Sequence, residues 1–332
     1  MYFFLAHSAT SFLLQTNVVK IYILPEFVVE PNSSLSILPP LLVSPATFLY
    51  LFYEYSVKGT FLSSYFNYIL PIFYFSLVWT YGKAFFTNQL WAKRAKAPLL
   101  IGTLTFHVLY LAVRTIIFQH PPVTTVFEIF SMLAFSVTAT YWIIELRSHR
   151  KETGYFILNI AFFFQLASTF FIKDTPVVPE ILRSPFFGAH VSCALIGYAA
   201  ITIAGAYSFM YLMLYHEMKA SRFGVIYKKL PTLESLERMT VTAIKLVVAF
   251  LGIAICFGII WFHQVYQNAH YDDPKLIGTI IVWIMYGSLV ITKKYFGIQG
   301  RKVMVLSIAG FLISIFSMTI INIFFSGFHK FY

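Results

Sequence analysis

The chain has 332 residues, of which 59% are hydrophobic and only 11% charged. A globular core of this length cannot bury so much apolar surface, so an ordinary soluble domain is excluded and lipid is the expected solvent. A net charge of +11 would suit nucleic acid only if a soluble basic face carried it, and none is legible, so nucleic-acid binding is excluded as well.

Residues 1–64 contain two apolar runs, near 2–15 and 40–53, broken by Gln, Asn, Pro and Glu. The sequence leaves open whether either run crosses a membrane. The first lacks a basic flank and a small-residue cleavage site, so a conventional signal peptide is not expected. From residue 65 onward, apolar stretches recur at 65–86, 97–118, 123–145, 154–172, 186–215, 240–262, 276–292 and 303–326. All but the longer 186–215 are close to the roughly 20 residues an α-helix needs to cross about 30 Å of hydrocarbon. The expected fold is all-α, a polytopic membrane helix bundle with about eight core transmembrane helices in residues 65–332.

Trp79, Tyr81, Trp142 and Trp261 fall near span ends, where an interfacial aromatic belt places such side chains. The longest connection, 216–239, is charged; Pro231 and Thr232 followed by Leu233 and Leu236 alternating with Glu234 and Glu237 suggest a short amphipathic helix within it. Cys193 and Cys256 lie inside spans without a CxxC, which fits packing rather than disulfide or thiol chemistry. No Walker A, GxGxxG, HExxH or GxSxG pattern occurs, so nucleotide, zinc-protease and hydrolase chemistry have no support.

Charge sorts the connections into two sets. Lys93, Arg94, Lys96, Arg147, Arg150 and Lys151 fall in alternate connections, as do five basic residues between Lys219 and Arg238 and four between Lys293 and Lys302. The opposite connections and the C-terminus hold only Lys173, Arg183, Lys275 and Lys330. By the positive-inside rule the first set is cytoplasmic and the second outer, with the C-terminus outside.

On the outer side histidines accumulate: His120, His190, His263, His270 and His329. Neutral imidazole is a standard axial donor to haem iron. His190, near the start of the span that follows Pro185, and His329, just past the last span, lie at one membrane depth. Spacing alone leaves two readings open, a shared iron or ordinary helix-end histidines bonded to backbone. His107 inside the second span is either a ligand or a hydrogen-bonding residue between helices. Arg114 suits a haem propionate or the lipid headgroups, and Glu128 either pairs with it or stabilises the start of its own helix.

Several stretches resemble the cytochrome c assembly family, the CcsA/ResC/HemX-like group of system II biogenesis. They are Ala189-His190-Val191-Ser192 running into Gly197-Tyr198-Ala199-Ala200 and Met210-Tyr211-Leu212; Leu230-Pro231-Thr232-Leu233-Glu234; Asp273-Pro274-Lys275 with Trp283 and Tyr286; Gly310-Phe311; and Ser326-Gly327-Phe328-His329. Upstream, Leu109-Tyr110-Leu111 with Arg114, and Pro121-Pro122-Val123-Thr124-Thr125 leading to Glu128, resemble the family's second and third helices. The resemblance covers roughly 65–332.

It implies that His190 and His329 are axial ligands of a haem, of type b, and that a tryptophan-rich outer loop ending in Asp-Pro-Lys, here Trp261 to Lys275 and including Asp273, lies against it. His107 and Arg114 complete the expected cofactor-binding set. It implies a bacterial inner-membrane location, presentation of haem to apocytochrome c, and a CcsB-like membrane partner within a haem-attachment complex. Two departures qualify this. Tyr266, Gln267, His270 and Asp272 stand where Trp and Gly are usual, and Ile291 stands where haem-synthase members carry a further histidine. A HemX-like regulator of haem biosynthesis or delivery is therefore the alternative expectation, with a small-solute transporter behind it.

Overall fold

The computed structural model of the protein describes residues 45–147, 152–172, 185–265 and 274–321. The chain divides into two units, Met1–Tyr53 and Glu54–Tyr332. Of the first unit, only the opening of the first helix is described.

That helix, α1, runs Pro45–Gly82 and passes into a π-helical turn, Lys83–Thr87. It is followed by α2 (Leu90–Phe118), α3 (Val126–Arg147), α4 (Gly154–Phe171), α5 (Pro185–Lys219), the short α6 (Val225–Lys229), α7 (Leu233–Val265), α8 (Pro274–Phe296) and α9 (Arg301–Phe316), which ends in a second π-turn, Ser317–Ile321. No strand occurs among the described residues. Eight spans there are long and apolar enough to cross a membrane: Phe61–Thr87, Leu90–Phe118, Val126–Leu146, Gly154–Phe171, Phe186–Lys219, Leu233–Trp261, Leu276–Phe296 and Arg301–Thr319. The all-α expectation holds, and the protein is a multi-pass membrane protein. Large apolar side chains such as Phe61, Phe163, Phe170 and Leu312 face outward, as lipid-exposed positions require.

The connection at 216–239 departs from expectation. The helix start at Thr232 is real, with the Ser235 amide donating to Thr232 Oγ1 at 3.3 Å. It opens no separate amphipathic helix, however; it is the first turn of the transmembrane helix α7, because Leu236 is fully buried and the apolar run continues without a break.

Helix α5 lies at the centre, packed most extensively on α7 and also on α9, α3 and α4. Small residues let these helices approach. A Cβ on Gly197 would lie 2.7 Å from Leu251, and one on Gly205 would lie 3.0 Å from Phe311. Helix α8 is tied on through backbone carbonyls: Trp283 Nε1 donates to Val248 O at 2.9 Å and Tyr286 Oη to Ser307 O at 3.0 Å. Four residues that carry the family resemblance, Gly197, Trp283, Tyr286 and Phe311, therefore set how the helices pack.

The basic connections gather at one end of the bundle. Lys229 Nζ donates to the Phe85 carbonyl, Lys293 pairs with Glu237, and the Arg301 guanidinium stands over the Tyr215 ring at 5.9 Å. The start of α5 and the end of α7 form the opposite, histidine-bearing end.

Candidate functional site

His190 lies in the first turns of α5, where its imidazole meets α7. Its Nδ1 is 2.7 Å from the carbonyl oxygen of Ala254. That oxygen only accepts, so Nδ1 carries the proton of the neutral ring, and the imidazole lone pair lies on Nε2. Gly258 makes the approach possible, since a Cβ there would lie 2.8 Å from His190 Nδ1. One turn earlier on α5, Phe187 packs on Trp261 of α7 with ring centroids 5.1 Å apart. Trp261 is 6% exposed, so it belongs to the α5–α7 seam and not to the lipid-facing belt its position suggested. Trp79, exposed beneath the Lys83 ammonium at 4.7 Å, does suit such a belt.

Arg114 and Glu128 meet between the end of α2 and the start of α3. Arg114 Nε and Nη2 both donate to Glu128 Oε1, at 3.0 and 2.8 Å. The other carboxylate oxygen, Oε2, accepts from the amides of Thr124 and Thr125 at 2.9 and 3.2 Å and from the Thr124 hydroxyl at 2.7 Å, while the Glu128 amide donates to Thr125 Oγ1 at 3.1 Å. This reciprocal Thr-x-x-Glu arrangement is a capping box, and it occupies amides that a helix start leaves without intrahelical partners. Both roles considered for Glu128 are thus filled by one side chain. Arg114 is 2% exposed, so it does not reach for headgroups.

His107 stands on α2 two turns before Arg114, roughly 10 Å along the axis, and is fully buried. Its Nδ1 is 2.9 Å from Tyr74 Oη of α1, and its Nε2 is 3.1 Å from Ser131 Oγ of α3. Ser131 donates onward to Gln165 of α4 at 2.9 Å, and Gln165 Nε2 donates to Thr169 Oγ1 at 3.2 Å. Thr169 in turn is 3.2 Å from Asn67 Oδ1, which also accepts from Tyr110 Oη at 3.4 Å. A polar network thus joins four helices inside the bundle, where an unmatched polar group is expensive.

Among the remaining histidines, His120 is buried with Nδ1 3.0 Å from the Pro121 carbonyl, and His263 is exposed near the end of α7. His329, Asp273 and His270 lie outside the described residues. The structure thus brings His190 and Trp261 to one seam and places Arg114 and His107 on one helix. The Ala254 carbonyl, Gly258, Tyr74, Ser131 and Gln165 escaped the sequence reading. Polar residues within apolar spans, and small residues spaced four apart on α7, were the signals for them.

The family described as Cytochrome C assembly protein matches residues 97–329. The chain belongs to that family. Membership supports a role in cytochrome c biogenesis. Among its relatives, Protein HemX of Brevibacillus brevis is 27% identical over 234 residues, covering 69% of this chain and 84% of the relative. The cytochrome c biogenesis protein CcsA of Chlamydomonas reinhardtii is 25% identical over 233 residues, 68% of this chain and 64% of that protein. The inner membrane protein YpjD of Escherichia coli strain K12 is 23% identical over 165 residues, 49% of this chain and 62% of that protein.

Haem handling, which the family implies, can be weighed against the donor chemistry. Iron takes the unprotonated nitrogen of a neutral imidazole, and metal-bound histidines usually donate their other N–H to a carboxylate, carbonyl or water. His190 meets both conditions. At His107 both ring nitrogens already face hydroxyl groups, so a metal there would have to displace Tyr74 or Ser131.

Proposed function

We propose that residues 65–332 form a haem-binding membrane domain that holds haem b at the histidine-bearing end of the bundle and presents it to apocytochrome c. The observation that carries this reading is the His190–Ala254 hydrogen bond, made possible by Gly258, which orients Nε2 as a ligand before any haem arrives. His329 is the proposed second axial ligand, with Trp261 and Asp273 flanking the porphyrin; Arg114, its charge taken up by Glu128, serves that end by joining α2 to α3. His107 enters as a node of the polar network that holds α1 to α4 together.

Bound haem would supply the vinyl groups to which client thiols add, so this chain needs no nucleophile of its own. Its residues orient, ligate and shield. His190 and His329 would hold the iron, and two imidazole donors would slow unwanted oxygen chemistry there. Sidedness follows from the basic connections, with the lysine-rich end in the cytoplasm of a bacterial cell and the histidine end and C-terminus outside. A CcsB-like membrane protein is the proposed partner in a haem-attachment complex.

One observation favours a second reading, that of a HemX-like regulator. Ile291, at the position where haem-synthase members carry a histidine, is 54% exposed on the lipid-facing surface of α8. No ligand there supports a second haem site near the lysine-rich end.

The test is an absorption spectrum of detergent-purified protein, oxidised and reduced, for wild type, His190→Ala and His329→Ala. A Soret band with sharp reduced α and β bands, lost in both variants, supports bis-histidine ligation. A colourless wild type after haem supplementation defeats it. Maturation of a cytochrome c in a host carrying the partner separates presentation from regulation.

A further inference from the structure

At the lysine-rich end, away from the His190 seam, lies a cavity of about 510 Å3 lined by Lys93, Lys96, Lys228, Lys229 and Glu152. Its walls come from the π-turn after α1, the first turns of α2, the residues leading into α4, and α6. Two of its lysines are committed: Lys96 Nζ is 3.6 Å from Glu145, and Lys229 Nζ donates to the carbonyl of Phe85 in the π-turn. Lys93 and Lys228 are exposed and make no ion pair among the described residues. Glu152 has a buried oxygen, Oε2, without a hydrogen-bond partner among the described residues. Tyr155 adds an aromatic wall.

Four ammonium groups against two carboxylates, Glu152 and the Glu145 that pairs with Lys96, leave a net positive charge that an anion would relieve. The unmatched Glu152 oxygen demands something more, a hydrogen-bond donor on the same ligand. The cavity lies at the charged ends of membrane spans, the depth of lipid headgroups, and basic pockets between transmembrane helices are a common way to hold phosphate headgroups. We propose that this cavity binds a phosphate-bearing headgroup that also carries a hydroxyl donor, the lysines taking the phosphate and Glu152 the hydroxyl. A lipid headgroup and a free organic phosphate share this chemistry, and position favours the lipid. The proposal is independent of the haem reading.

Thermal unfolding in phosphatidylcholine nanodiscs doped with phosphatidylglycerol tests it. The melting temperature of the wild type rises and saturates, and the half-saturating fraction increases about thirtyfold in Lys93→Gln/Lys228→Gln, as loss of two surface cations implies. Lys294→Gln/Lys302→Gln, with the same charge loss outside the cavity, stays like wild type. Phosphatidylmethanol, anionic but without a donor, binds the wild type more weakly than phosphatidylglycerol, and Glu152→Ala abolishes that preference. Stabilisation of detergent-purified protein by sn-glycerol 3-phosphate at comparable occupancy assigns the site to a free phosphate. No saturable rise in the wild type, or equal losses in both double variants, overturns the proposal; a preference that survives in Glu152→Ala overturns the role of that residue.

Discussion

Arg114 and Glu128, on consecutive helices, form a 2.8 Å ion pair almost wholly removed from solvent, and the same carboxylate closes the capping box of α3. Breaking one partner strands the other as an uncompensated buried charge. Glu128→Ala should therefore destabilise the protein by about 3–5 kcal/mol, read as unfolding in mixed micelles. The double variant Arg114→Met/Glu128→Leu should recover much of that, because no charge is left without its partner.

A methyl group at residue 258 would press on the His190 ring. Gly258→Ala should weaken haem binding about tenfold, the scale on which loss of a supporting hydrogen bond acts on metal ligation, while the helix itself tolerates alanine better than glycine. Haem titration of the purified variant checks this. An unchanged affinity would mean that the Ala254 carbonyl does not orient the ligand.

Ser131 links His107 to Gln165, so Ser131→Ala leaves two buried partners unmatched. A loss of about 1–3 kcal/mol is expected, with the haem spectrum intact. If instead His107→Ala bleaches the Soret band and Ser131→Ala sharpens it, His107 is a ligand and the network is its support.

Reporter fusions decide the orientation. Alkaline phosphatase placed after Tyr332 should be active and a fluorescent protein there dark, with the reverse result after Ser221 in the α5–α6 connection.

The eight spans were legible because crossing hydrocarbon demands an apolar run of nearly fixed length. Their ends were less so. Helix α2 begins at Leu90 and not near 97, and α7 at Leu233 and not near 240, because a helix carries on through Lys93, Arg94 and Lys96, or Glu234 and Glu237, once it has left the lipid. Hydropathy registers only the submerged part. Of the site, His190 was visible as a residue type at a helix start. Its anchor was not, since a carbonyl 64 residues away has no side-chain signature. The network around His107 was hidden for a similar reason: its direct partners Tyr74 and Ser131, and Asn67 and Gln165 beyond them, come from three other helices, and only packing brings them together.

The imidazole of His190 belongs to α5 by its backbone and to α7 by its hydrogen bond. Its aim is therefore a gauge of register between two helices. A slide of α7 by one turn moves the acceptor by about 5.4 Å, enough to turn a 2.7 Å bond into none. A shift of that size along the seam would release the ring, so the aim of Nε2 depends on the two helices keeping their register.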